Sequence, residues 1–131
     1  MRKPLILIVE DDEKSRRLLR DVLRVKGYET VETESAEEGL EMARALNPAL
    51  ILMDIRLPGM SGLDALAVLR AQTQTRTIPV VAVTASLMSQ QHGNVVAAEF
   101  DALQRKPICV SDLLITMEHL LQNKPHLPVA P

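Results

Sequence analysis

The sequence predicts an α/β protein, a doubly wound five-stranded parallel sheet with helices on both faces. Two observations carry this. Short apolar runs and segments of helical period alternate five times along the 131 residues, the pattern that right-handed crossovers turn into a parallel sheet covered on both sides. Two of those runs, Leu5–Val9 and Leu50–Asp54, are continuous rather than alternating, as central strands buried on both faces must be.

The elements follow in order. The first run ends in Glu10-Asp11-Asp12. From Ser15 onward Leu18, Leu19, Val22 and Leu23 repeat at helical spacing, while Arg16, Arg17, Arg20 and Arg24 point the other way as a solvated face, and Gly27 supplies the stop. Residues 28–33 set Tyr28, Thr30 and Glu32 against Glu29, Val31 and Thr33, a modestly buried strand suited to a sheet edge. Ser35-Ala-Glu-Glu38 matches a capping box, with Ala36, Leu40, Ala43 and Leu46 as the apolar stripe and Asn47-Pro48 as the end of the second helix.

The Leu50 run, enclosed between Asn47-Pro48 and Pro58-Gly59, is too short for a helix and delivers Asp54 to a turn. The cluster Pro58-Gly59-Met60-Ser61-Gly62 leads into a deeply buried third helix over 63–72, then a polar loop over 73–77. Residues 78–83 form a fourth strand with Pro79 near its start, where a missing donor is tolerated, and Thr84 at its end. Residues 86–99 are helical in content but carry Gly93 and Asn94, and Gly costs ~1 kcal/mol relative to Ala, which predicts a frayed, mobile helix. Residues 100–105 are polar enough for the second sheet edge. From Val110 the set Leu113, Leu114, Met117, Leu120 and Leu121 defines the last helix. Residues 1–122 thus form one domain, and 123–131, with three prolines and no periodicity, a disordered tail.

Composition narrows the function. Fifteen basic residues against seventeen acidic ones, with one Tyr, one Phe and no Trp, leave no electrostatic or stacking footprint for nucleic acid. No apolar stretch reaches the roughly 20 residues of a membrane span, and no cleavable leader is legible at the amino end. The single Cys109 makes no internal disulfide, in keeping with a cytoplasmic address.

Chemistry concentrates at strand ends. Asp11, Asp12 and Asp54 converge if the first and third strands are neighbours, and in the order 2-1-3-4-5 these strands flank the topological switch point. Two carboxylates about 4 Å apart repel by ~4 kcal/mol at an effective dielectric near 20, so three in one cleft need a cation. With no His or Cys in these loops, the ligands are oxygens and suit Mg²⁺ or Mn²⁺ rather than zinc. Each residue taken alone has a plainer use. An acid ahead of a helix is a common cap, Asp54 can start a turn, a strand-end Thr is usually structural, and a Lys before proline is usually solvated.

Taken together, Asp11-Asp12, Asp54 with Leu57-Pro58-Gly59-Met60-Ser61-Gly62, Thr84-Ala85 and Lys106-Pro107 resemble the receiver domain of two-component response regulators, of the stand-alone, chemotaxis-regulator-like type. The resemblance spans residues 3–122 and also supplies part of the strand order, that of a flavodoxin-like fold. It implies that Asp54 accepts a phosphoryl group from a phosphohistidine of a sensor histidine kinase or histidine phosphotransfer protein. Asp12 and Asp54 would then ligate Mg²⁺ (or Mn²⁺) directly, with the Arg56 backbone carbonyl as a third ligand and Asp11 holding a coordinated water. Lys106 would pair with Asp54 and then with phosphoryl oxygens, while Thr84 and the backbone N–H groups of Ile55 and Ala85 would bind the others. The Lys106–Pro107 bond would be cis. The protein would catalyse only its own phosphorylation and dephosphorylation, as a monomer or weak homodimer. It would signal to an unknown downstream protein by contact, since no effector or DNA-binding motif follows Leu121.

The sequence departs from the family at Leu103, where an aromatic residue usually precedes the lysine by three, and in the polar Gln104-Arg105 that make the output face atypical. Arg56 and Ser86, two residues beyond Asp54 and Thr84, stand where the family controls access of hydrolytic water, and Arg56 is expected to lean over the cleft and pair with an acid. Two other functions compete. An aspartyl-nucleophile phosphohydrolase would need an acid where Arg56 stands, and a phosphorylation-independent adaptor would explain Leu103.

Overall fold

The computed structural model describes residues 3–85 and 100–122. Its elements are β1 (Leu5–Val9), α1 (Glu13–Val25), β2 (Glu29–Thr33), α2 (Ala36–Leu46), β3 (Leu50–Asp54), α3 (Gly62–Ala71), β4 (Val80–Thr84), β5 (Ala102–Arg105) and α4 (Val110–Gln122). All neighbouring strands are parallel and the order is β2-β1-β3-β4-β5, so the predicted fold class and both edge assignments are observed. The helix expected over 86–99, Ser86 within it, and the tail over 123–131 lie outside the described residues. Among the described residues no helix is long and apolar enough to cross a membrane.

The core divides by the two-residue period of the strands. Leu7, Val9, Ile51, Met53, Val80 and Ala82 meet α2 and α3 on one face, while Ile6, Ile8, Leu50, Leu52, Val81 and Val83 meet α1 and α4 on the other. Each fully buried aliphatic side chain contributes about 1.5–3 kcal/mol, so the three central strands are the principal source of stability. The helix stripes are narrower than their patterns imply. Leu18 and Leu46 each stay 45% exposed, because burial runs through Leu19 and Leu23 on α1 and ends at Ala43 on α2.

Caps set the helix starts. Asp12 accepts the Ser15 N–H at 2.9 Å, Ser35 the Glu38 N–H at 3.2 Å and Ser61 the Asp64 N–H at 3.1 Å. The capping box at α2 is only half made, since the Glu38 carboxylate takes the Thr33 hydroxyl instead of reaching back to Ser35. Asn47 at φ 49° and Gly27 at φ 94° turn the chain out of α2 and α1.

The arginine row on α1 is not a purely wet face. Arg16 Nε lies 3.1 Å and Arg20 Nη1 3.3 Å from the Glu32 carboxylate, and Arg24 Nε donates to Thr30 Oγ1 at 3.0 Å. These arginines fasten α1 along the edge strand β2, which has few buried apolar residues of its own.

Candidate functional site

β1 and β3 are adjacent, and both end in a buried acid. Asp54 is the last residue of β3, only 6% exposed. Its Oδ1 accepts the Arg56 N–H at 3.0 Å and its Oδ2 accepts from Lys106 Nζ at 3.1 Å. Glu10, one residue past β1, is 1% exposed and bound on every side. Its N–H donates to the Thr33 carbonyl at 3.0 Å, and its carbonyl accepts from Arg16 Nη1 at 3.0 Å. Its Oε2 accepts the Asp12 N–H at 3.0 Å, and its Oε1 lies 2.8 Å from Lys106 Nζ.

Lys106 therefore stands between two carboxylates. It comes from just beyond β5 and is positioned by its backbone N–H, which donates to the Thr84 carbonyl at 2.8 Å, and the following Lys106–Pro107 bond is cis. Burial pushes the Glu10 carboxyl up to about 7, with the pairing to Lys106 and the Asp12 N–H opposing it. Burial alone would lower the Lys106 ammonium, but bonding to Glu10 and the charge of Asp54 outweigh it and raise the ammonium above its usual value.

The turn after Asp54 is held by close approach. Gly62 opens α3 with its N–H on the Ile55 carbonyl at 2.9 Å. A Cβ there would run into the Asp54 carbonyl oxygen and lie 2.8 Å from Ile55 Cα, so only glycine lets α3 press onto this peptide.

The acidic set differs from the expected one by one residue. Oxygens of Glu10, Asp11 and Asp54 lie within 4.8 Å of one another. Asp12, expected as a direct ligand, instead caps α1, and the Ser15 N–H it accepts lowers its pKa. Glu10, not singled out from the sequence, takes the inner place. The signal was available, because Asp12 three residues before Ser15 is where the cap belongs, leaving the two preceding acids for the cleft. Three carboxylates with no nitrogen or sulfur donor, and a buried Glu10 Oε1 that is charge-paired but makes no directed hydrogen bond, fit a hard divalent cation such as Mg²⁺.

Thr84 is fully buried at the end of β4, one register step beyond the Asp54–Val83 pair, and Ala85 follows it at the surface. Arg56 is exposed, and its side chain forms no ion pair among the described residues, so the expected pairing with an acid is not made. Leu103 is half-buried and packs on the α2–α3 side of the sheet, and Gln104 Nε2 donates to Thr116 Oγ1 of α4 at 3.2 Å, giving the polar last strand a partner.

Residues 6–118 match the response regulator receiver domain family. A curated relative, the polar-differentiation response regulator DivK of Brucella ovis, is 40% identical over 116 residues, covering 88% of this chain and 94% of that one. A putative response regulator from Chloroflexus aurantiacus superposes with a TM-score of 0.85 at 27% identity, covering 92% of this chain and 99% of that one. The receiver domain of a Pseudomonas aeruginosa sensor histidine kinase, solved with a magnesium ion coordinated in its active-site cleft, superposes with a TM-score of 0.80 at 28% identity, covering 94% and 98%. Fold, acidic cleft and relatives agree, and the chain belongs to the response regulator receiver domain family.

Proposed function

We propose that this chain is a cytoplasmic phosphoacceptor that takes a phosphoryl group from a phosphohistidine onto Asp54 and passes on its state by protein contact. The observation that carries this is the Asp54 carboxylate, buried at the switch point of the sheet with Lys106 Nζ 3.1 Å away and two further acids beside it. An Asp54 oxygen attacks phosphorus, the P–N bond to the donor imidazole breaks, and the electron pair leaves with the imidazole nitrogen. Glu10, Asp11 and Asp54 would hold Mg²⁺, with the Arg56 carbonyl beside them. When bound, the ion neutralises charge on the carboxylates and the incoming phosphoryl oxygens. Lys106, freed from Asp54 by the transfer, follows the new negative charge. Thr84 and the N–H groups of Ile55 and Ala85 receive the remaining oxygens. The donor would be a sensor histidine kinase or a histidine phosphotransfer protein.

The test is intact-mass analysis after incubation with Mg²⁺ and a small phosphoramidate. A single acid-stable, base-labile phosphoryl adduct is expected, absent in Asp54→Asn. Leu103 favours one competing reading, a phosphorylation-independent adaptor, because no ring is present there to follow Thr84. No adduct, even with a phosphorylated histidine protein as donor, would decide for the adaptor.

A further inference from the structure

We propose that Arg16 is a positioning residue for the acidic cleft, holding the Glu10–Asp11 peptide in the orientation that brings its carboxylates to Asp54; this rests on the reading of that cleft as a Mg²⁺ site. Arg16 stands on the first turns of α1 and reaches back over its own helix start. Nη1 donates to the Glu10 carbonyl at 3.0 Å, while Nε donates to Glu32 at 3.1 Å and Nη2 lies 3.9 Å from Glu34. Its side chain is only 15% exposed. The Glu10 carbonyl is the acceptor half of the peptide that leads into Asp11, and it has left the β1–β2 ladder, whose last described contact is the Glu10 N–H on Thr33. Arg16 thus takes over where the sheet stops, and Glu32 aims the guanidinium from the edge strand.

Charge and position make opposite predictions here. A guanidinium near three carboxylates repels a divalent cation, so by charge alone its removal would tighten Mg²⁺ binding. As a clamp on the peptide between two ligands, its removal would loosen the site, and outer groups that orient metal ligands are typically worth 10–100-fold in affinity. Glu32, which Arg16 shares with Arg20, and the more distant Glu34 offset part of the Arg16 charge, so the positioning effect is expected to dominate. Arg20 supplies an internal control, because it shares Glu32 at 3.3 Å but its described bonds do not reach Glu10.

Mg²⁺ affinity of the full chain, measured by calorimetry and by Mn²⁺ competition in electron paramagnetic resonance, separates the possibilities. Arg16→Gln is expected to weaken Mg²⁺ about tenfold while Arg20→Gln stays within twofold of the parent, both checked by thermal melting. Unchanged or tighter binding in a folded Arg16→Gln would overturn the proposal. If Arg16→Gln fails to fold, Arg16→Lys, which keeps the charge but not the fork, serves instead. Weakening of threefold or more supports positioning, and parent-like affinity refutes it. A parent protein that binds no Mg²⁺ at millimolar concentration would instead sink the metal reading itself and this inference with it.

Discussion

The carboxyl ends of β1 and β3 both deliver a buried acid to one lysine, yet they hold it by different physics. Glu10 is fixed by polar bonds from four directions, through Thr33, Arg16, Asp12 and Lys106. Asp54 is fixed from behind by packing, with Gly62 of α3 pressed onto its peptide, and by two bonds to its carboxylate. The difference suits their tasks. A residue that frames the cleft is best held through its own polar groups, with one oxygen left to face a cation, whereas one that takes a new covalent partner needs a rigid backbone and an accessible oxygen.

Gly62→Ala breaks the packed end. The new methyl would meet backbone atoms that cannot swing aside, and a loss of about 3 kcal/mol is expected in denaturant titration. Gly39→Ala, whose methyl would meet side chains rather than backbone, Val9 at 2.9 Å and Thr33 at 3.6 Å, should cost clearly less. Equal costs would mean that α3 shifts freely and that packing does not fix Asp54.

Glu10→Gln probes the polar end through pH. In the folded, metal-free protein the Glu10 carboxyl is raised to about 7, above the 4.5 it has when unfolded, so the folded state retains the proton longer. Its contribution is complete below the unfolded value and is lost as pH rises through about 7. In chelator, the parent should lose about 2 kcal/mol between pH 5 and 8 through this group, and Glu10→Gln should not. Identical slopes in the two proteins would mean that Glu10 does not hold its proton longer in the folded state.

Asp11→Asn and Asp12→Ala sharpen the assignment of the acids. Asp11→Asn should weaken Mg²⁺ by tenfold or more. Asp12→Ala should leave Mg²⁺ affinity within about twofold and lower the melting temperature as a lost cap. The reverse result would restore Asp12 to the cleft.

Much of this was legible in the sequence. Continuous apolar runs identified β1 and β3 because central parallel strands have no wet side, and polar β2 and β5 were recognisable as edges for the opposite reason. Asp54, Thr84 and Lys106 were legible as strand-end residues. What escaped was anything decided by one step of backbone geometry. Three acids in a row do not reveal which one the helix start will claim, so Asp12, expected in the cleft, caps α1, and Glu10, for which no role was expected, stands beside Asp54. The α1 arginines looked solvated because their partners, Glu32 and Thr30, lie on a different element. Leu18 and Leu46 looked buried because periodicity marks a face but not the width of its contact.

At the other end of the sheet, Asp101 Oδ2 accepts both the Val80 N–H and the Arg70 guanidinium, each at 2.7 Å, and Arg70 also donates to the carbonyls of Arg76 at 3.0 Å and Ile78 at 2.8 Å. The entrances of β4 and β5 are thereby tied to the end of α3 by side chains. With its bond to a side chain that is itself held by Arg70, the Val80 amide should be among the slowest to exchange its hydrogen with solvent.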